Sequence, residues 1–245
     1  MSAHPRLTAL DRRRAVRRLG GLFAIASPSV ASLAGCALNS SPRQQFYALD
    51  DLKYAAPLAR PGASDERPAD SRKPVAAAAP VPAPRIDRVL LLTAGASQSM
   101  YDSDRMVFSA DGVSRAYFQY ANWSERPVRR LLVLAERRLA RSGAFRAVVT
   151  STSGVRGDLL LMLRLDELFY DGSFTPSRTT ISVHGELLDW RSRTFIARHT
   201  FTESVQSFSD DARGAAQAAG KAVTVVLDDL AIWTEAAAAR TLPPS

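Results

Sequence analysis

Apolar positions in this chain change period several times, and each change predicts an element. Gln45-Phe46-Tyr47-Ala48-Leu49 is aromatic and flanked by turn formers, which predicts a short strand. Arg88-Val89-Leu90-Leu91-Leu92 predicts a buried strand, and 95–98 a loop. Residues 106–108 and 114–120 flank Ala110-Asp111-Gly112, an Asp-Gly signal for a hairpin; in the second arm Ala116, Phe118 and Tyr120 alternate with Arg115, Tyr117 and Gln119. Over 126–141 the spacing becomes helical, with Val128, Leu131, Leu132, Ala135 and Leu139 on one stripe. Ser124 is the expected N-cap, Pro127 falls in the tolerated first turn, and Gly143 is the expected stop. The opposite face carries Arg126, Arg129, Arg130, Arg137 and Arg141, which suits either solvent or an anionic partner.

The second half repeats the order. Residues 145–150 predict a short strand, and 159–165 a central strand apolar on both faces. Residues 179–188 alternate with Ile181, Val183 and Leu187 on one face, and 195–204 with Phe195, Ala197 and Phe201 inward; the turn at 189–193 makes these two a hairpin. A last helix is expected over 211–236, capped by Ser209 or Asp210. Ala212, Ala215, Ala216, Ala219, Val223, Val226, Leu230 and Trp233 form its buried stripe. Strands, helix, strands, helix predicts an α/β fold: a mixed sheet with two principal helices packed on it, an α/β sandwich.

Composition divides the chain. Residues 53–85 are rich in Pro, Ala, Arg and Asp and hold too little apolar surface to form a core. They read as a flexible tether or insertion, able to reach on the order of 100 Å if extended at ~3.1 Å per residue. The formal charge of +8 suggests nucleic acid at first sight, but the first 35 residues carry six arginines against Asp11, a net of +5. The remainder keeps +3, too little for a nucleic-acid footprint. The arginines read instead as the positive start of a signal peptide. The apolar run 19–35 is broken by Gly20, Gly21, Ser27, Pro28, Ser29 and Ser32, and so is too short and interrupted to span a bilayer. Arg13-Arg14 and Arg17-Arg18 leave the choice between the general and the twin-arginine export routes open.

Leu33-Ala34-Gly35-Cys36 follows that run, and Cys36 is the single cysteine of the chain. The stretch resembles the lipobox of bacterial lipoproteins. The resemblance implies cleavage between Gly35 and Cys36, a diacylglycerol thioether on Cys36 and an N-acyl chain such as palmitate on the new amino terminus. Three acyl chains, at about 0.8 kcal/mol per buried CH₂, exceed what stable anchoring needs. Ala37 stands where an aspartate resembles the inner-membrane retention signal, so the outer membrane is the expected address. The organisation is then a signal peptide at 1–35, an acylated N-terminus with a short strand at 36–52, the tether at 53–85 and the main α/β domain at 86–240.

Little in the sequence points to catalysis. His4 leaves with the signal peptide, His184 shares the polar face of its strand with Ser182 and Glu186, and His199 alternates with Phe201 as a half-buried structural residue. Isolated strand histidines do not make a metal site, there is no nucleophile elbow, and 93–98 is no phosphate loop. Arg156-Gly157-Asp158 reads as a turn, and Asp102, Asp104, Asp166, Glu167 and Asp171 lack metal-ligand spacing. The expectation is a protein that is not an enzyme and carries no cofactor beyond the lipid on Cys36.

Several segments in order resemble the ABC-type transport auxiliary lipoproteins (PqiC-like). These are Phe46-Tyr47-Ala48-Leu49, Pro84-Arg85-Ile86-Asp87-Arg88-Val89, Asp104-Arg105-Met106-Val107-Phe108 and Tyr120-Ala121-Asn122-Trp123-Ser124-Glu125-Arg126-Pro127. Ser142-Gly143-Ala144-Phe145-Arg146-Ala147-Val148 and the Ala-rich last helix ending at Trp233 complete the set. The resemblance covers most of the chain after Cys36. It implies an α/β sandwich at the periplasmic face of a membrane, working beside an ABC ATPase, a permease and an MCE-type lipid-binding subunit that move lipids between inner and outer membranes. It also implies a homo-oligomer, since the family includes ring-like assemblies. Trp123 and the helix face Arg126, Arg129, Arg130 and Arg137 are the candidate partner contacts, with Trp123 reading equally well as an ordinary core residue. The insertion 53–85 departs from the family pattern and leaves open whether 46–49 pairs into the sheet. The alternative reading is a structural or assembly lipoprotein of the outer membrane not tied to a transporter.

Overall fold

The computed structural model describes residues 43–53 and 85–242. Its strands are β1 (Gln45–Tyr47), β2 (Ile86–Ala94), β3 (Arg105–Ser109), β4 (Ala116–Trp123), β5 (Phe145–Thr150), β6 (Leu159–Asp171), β7 (Arg178–Asp189) and β8 (Thr194–Gln206). Helix α1 (Pro127–Ser142) separates β4 from β5, and α2 (Ala212–Ala239) follows β8. The fold is α/β, as the alternation of periods predicts: one mixed sheet of these eight strands with two helices.

The sheet is organised around β6, whose thirteen residues exceed the predicted 159–165. One of its edges runs along β7 in antiparallel register from Leu159–Asp189 to Asp171–Arg178. The other edge is shared end to end by two parallel strands: β2 takes Leu159 to Leu163, and β3 takes Phe169 to Asp171. The loop between them fills the gap in the ladder. The Gly95 N–H donates to the Leu163 carbonyl at 2.7 Å, and Ser97 Oγ accepts from the Leu165 N–H at 3.1 Å. Beyond β2 lies β5, beyond β3 lie β4 and then β1, and beyond β7 lies β8.

Alternation decides which face meets the helices. Leu159, Leu161, Leu163 and Leu165 are at most 2% exposed, and they join Leu90, Leu92, Ile181, Val183 and Leu187 in the core under α1 and α2. Each such leucine contributes ~1.5–3 kcal/mol relative to leaving it in water. Along α2, Ala215, Ala219 and Ala222 face the same core before Val226, Leu227 and Leu230, so its first half approaches the sheet closely. The other face of β6 has no second helical layer among the described residues. There Leu160 forms a small cluster with Val89 and Leu91, flanked by Ala147, Val149 and Trp190.

Several local expectations are corrected. β1 ends at Tyr47 rather than Leu49, and it does pair into the sheet, parallel to β4 with Tyr47 beside Trp123. Ser124 does not cap α1, because the helix starts two residues too late for it; its N–H donates to the Tyr47 carbonyl and completes the β1–β4 junction. Arg126 takes the cap position without a side-chain bond, and Pro127 opens the helix. Gly143 closes α1 in the left-handed conformation, as expected. Asp211, not Ser209 or Asp210, caps α2: its carboxylate accepts from the Gly214 N–H at 2.7 Å and is held by the Ser209 hydroxyl at 2.7 Å. Phe195 points outward and is 49% exposed. A bulge places Leu187 opposite Ala197 but Leu188 opposite Phe195, so Phe195 shares the face of Leu188 and not that of buried Leu187. His199 is exposed, not half-buried, and Trp233 is only partly buried.

Candidate functional site

The most developed polar site among the described residues is a clasp between the segment after β1 and both helices. The chain leaves β1 at Tyr47 and crosses the helical layer as 49–53. Leu49 is buried in the core, and Arg130 of α1 donates from Nε to its carbonyl at 2.9 Å while pairing with Asp50. One turn pair further along α1, Arg138 holds Asp51: Nε lies 3.0 Å from Oδ2 and Nη2 lies 2.6 Å from Oδ1. Arg138 also pairs with Asp228 of α2, and Lys53 closes the ring at 2.6 Å from the same carboxylate. Above them, the Leu52 N–H donates to Thr224 Oγ1 of α2 at 2.9 Å.

The electrostatics follow from that crowding. Burial pushes the Asp228 carboxyl pKa up, but the Lys53 hydrogen bond and the Arg138 charge outweigh it and leave the carboxyl below its ordinary value. Burial likewise works against the Arg138 cation, and the Asp51 and Asp228 carboxylates more than offset it, so its pKa is raised. The arrangement fixes where the N-terminal segment meets the domain.

The sequence hinted at this clasp without revealing it. Arg138 stands four residues after Leu134 and seven after Leu131, inside the apolar stripe of α1, where a charged group needs a buried partner. The Asp50-Asp51 pair after β1 is that partner, from a segment far away in the chain.

The candidate residues read from sequence divide as follows. Cys36, the cleavage site Gly35–Cys36, the signal peptide 1–35 and nearly all of 53–85 lie outside the described residues. Trp123 is 4% exposed and belongs to the core, packed where β1 and β4 meet, so it offers no contact surface; this corrects its reading as a partner contact. Arg130 is engaged with Asp50 and the Leu49 carbonyl and serves the clasp. Arg129 and Arg137 are exposed, and Arg126 is exposed with Asp102 4.0 Å away.

His184 is the residue with the most suggestive neighbours. Its Nδ1 lies 2.9 Å from Thr200 Oγ1 and its Nε2 lies 3.3 Å from Glu186 Oε1, the order of a nucleophile, a base and an acid. The geometry is explained more simply. Thr180 with Ser204 and Ser182 with Thr202 make the same cross-strand contacts at 3.1 and 3.0 Å, so His184–Thr200 is the next rung of a ladder on the open face of β7 and β8.

A cleft of about 250 Å³ lies where β2, β5, β6 and β7 come together, lined by Asp87, Arg88, Arg146, Asp158, Asp189 and Arg191. Its cations and anions are matched. Arg88 pairs with Asp189 at 3.2 Å, Arg146 with Asp87 and Asp158 at 3.2 and 3.3 Å, and Arg191 with Asp158 at 2.6 Å. Asp158 also accepts from the Val89 N–H at 2.8 Å and is buried, so the Arg-Gly-Asp tripeptide is a structural turn. Among the described residues no three His, Cys, Asp or Glu side chains group as a metal site, and no helix is long and apolar enough to cross a membrane.

No family model and no curated protein matches the chain. Solved structures do resemble it. Protein XCC0632 from Xanthomonas campestris, of the family DUF330, is 23% identical over 64% of this chain and 89% of its own, with a TM-score of 0.59. An uncharacterized protein is 12% identical over 62% of this chain and 94% of its own, with a TM-score of 0.51. These two likenesses establish a shared two-layer α/β fold. Lipoprotein GNA1162 from Neisseria meningitidis is 14% identical over 59% of this chain and 98% of its own, but its TM-score of 0.32 carries no argument.

Proposed function

We propose that this chain is a lipid-anchored envelope protein, held at the periplasmic face of the outer membrane through Cys36, and that it acts by docking. The system it serves is an MCE-type ABC transporter that moves lipids between the membranes, in which it is the auxiliary lipoprotein beside the lipid-binding subunit, the permease and the ATPase. It performs no catalysis and needs no cofactor other than its own acyl chains.

The observation that carries this reading is the way the chain after Cys36 enters the fold. Only eight residues lie between Cys36 and Gln45, a span of roughly 30 Å at full extension. From Gln45 the chain joins β4 as a parallel strand, and 49–53 is then clasped by Arg130 and Arg138. An anchor placed there holds the domain close to a bilayer, and load on the anchor is borne by the sheet and both helices. Tethering of this kind raises the effective concentration of the domain at partner subunits in the same envelope. The exposed Arg129 and Arg137, on the outer side of α1, are the contact candidates that remain after Trp123 and Arg130 are assigned to the core and the clasp.

Detergent extraction with a C-terminal tag, followed by mass spectrometry of the bait and its companions, tests the proposal. The expected result is an acylated N-terminus at Cys36 accompanied by an MCE subunit, a permease and an ATPase. An acylated bait accompanied only by outer-membrane assembly proteins contradicts the transport role and favours the structural lipoprotein.

A further inference from the structure

We propose that β8 is a self-complementary edge through which two copies of this chain join, antiparallel, about a two-fold axis at Phe201. The inference does not depend on the lipid anchor or on the transport role.

β8 is the last strand of its side of the sheet and pairs with β7 alone. It runs for thirteen residues, Thr194–Gln206, and contains neither proline nor lysine. Its one irregularity, the bulge at Phe195, lies at its start, so the stretch from Ala197 onward is regular. Natural edge strands are shielded by brevity, proline, charged side chains or bulges; of these the regular part of β8 carries only charges, Arg198 on one face and Glu203 on the face of buried Phe201, so a strand that joins this edge has to offer Glu203 a partner.

The sequence of β8 selects the occupant. Residues that face each other across an antiparallel pair must lie on the same side of the sheet, so a two-fold axis has to pass at a residue position. With the axis at Phe201, His199 meets Glu203 of the second copy and Glu203 meets its His199. Ala197 meets Val205, Thr200 meets Thr202, and Arg198 meets Ser204. Imidazole meets carboxylate, apolar group meets apolar group and hydroxyl meets hydroxyl, each twice by symmetry. Moving the axis to Thr200 sets Glu203 against Ala197, and moving it to Thr202 sets Glu203 against Phe201. Neither alternative gives the carboxylate a partner.

Within one chain that carboxylate lacks one too. Glu203 is half-buried, and no ion pair or side-chain hydrogen bond involves it among the described residues. His199 stands on the same side of β8, its ring 4.7 Å from that of Phe201 and 6.3 Å from that of Trp233. Beside them, β8 and α2 border a groove of about 350 Å³ that includes Asp229, Ile232 and Trp233, and Ile232 is 69% exposed. A second β8 laid along the edge brings the side chains of that same face over this groove and covers Ile232.

The test uses the full chain extracted in detergent. Its mass by sedimentation velocity is expected to be that of a dimer or a multiple of it. Joint substitution of Arg198→Cys and Ser204→Cys is expected to give a covalent dimer on oxidation, and either substitution alone is not. His199→Glu alone places two carboxylates opposite each other twice, and Glu203→Lys alone takes the acceptor carboxylate from His199 twice; each is expected to weaken association about tenfold. The two together restore opposite charges and are expected to restore the dimer, which separates loss of the interface from loss of folding. A wild-type monomer overturns the proposal. So does an assembly that neither charge change affects and that oxidation does not lock, or covalent capture of a different protein in place of a second copy.

Discussion

The guanidinium of Arg138 and the carboxylate of Asp51 face each other through both ends, with both side chains only 4% exposed. Arg138 belongs to α1, whereas Asp51 belongs to the segment that follows β1, so the pair joins the N-terminal segment to the body of the domain. Burying two charges is costly, and the cost is met only while both are present. Arg138→Met leaves Asp51 buried without a cation and is expected to lose about 3–5 kcal/mol. For a domain of this size that corresponds to a fall in Tm on the order of 10 °C. Adding Asp51→Leu is expected to recover most of the loss, because Asp228 keeps Lys53 at 2.6 Å. Thermal melts of the two single variants and the double variant check this, and additive losses would contradict the coupling.

Acid should unfold the domain from the carboxylate side. Asp228 is pushed up by burial and pulled lower still by Lys53 and Arg138, for a net lowering. The carboxyl of Asp111, at the tip of the β3–β4 hairpin, is lowered to about 2, chiefly by the N–H groups of Ser114 and Val113. In the unfolded chain both titrate near an ordinary aspartate value of about 3.9. A folded pKa below the unfolded one means that the unfolded state binds more protons in between. The stabilisation is therefore complete above about pH 4–5 and is lost as pH falls through the folded values. Denaturant midpoints measured between pH 7 and pH 2.5 should be flat at first and then fall. Asp228→Asn should blunt the fall, and a midpoint that rises on acidification would contradict the assignment.

Two glycines separate conformational cost from steric cost. Gly143 ends α1 at φ 66°, and a Cβ there meets nothing within 4 Å, so Gly143→Ala tests only the left-handed backbone. The expected loss is about 1 kcal/mol. At Gly214, in the first turn of α2, a Cβ lies 2.1 Å from the Ser209 backbone oxygen. Gly214→Ala therefore has to displace the Ser209–Asp211 cap. The larger destabilisation is expected at Gly214, read from denaturant melts of the two variants side by side.

What the sequence made legible and what it did not follow from range along the chain. The stripe Leu131, Ala135 and Leu139 and the run 159–165 declare their elements locally, because helix and strand periods are local properties. The position of β1 is not local: its partner β4 lies more than seventy residues further along the chain. The sharing of one edge of β6 by β2 and β3 is likewise a tertiary fact. Phe195 escapes the alternation rule because one bulge reverses the parity that the rule assumes. Ser124 has the residue type of a cap, but α1 starts two residues too late to use it. In the candidate site, Trp123 has the composition of a contact residue and the burial of a core residue. Arg138 was legible only as an oddity in an apolar stripe. Cys36 was read from its neighbours alone and lies outside the described residues.

The central claim is that a lipid on Cys36 holds this domain to a membrane, and fractionation tests it most directly. Acyl chains of that number give an attachment that salt does not reverse and detergent does. The account predicts that the wild-type chain sediments with membranes through a high-salt wash and is released by detergent. Cys36→Ala should move the protein to the soluble fraction with an unchanged melting temperature. A Cys36→Ala chain that still sediments with membranes, and is not merely aggregated, contradicts the anchor and the reading built on it.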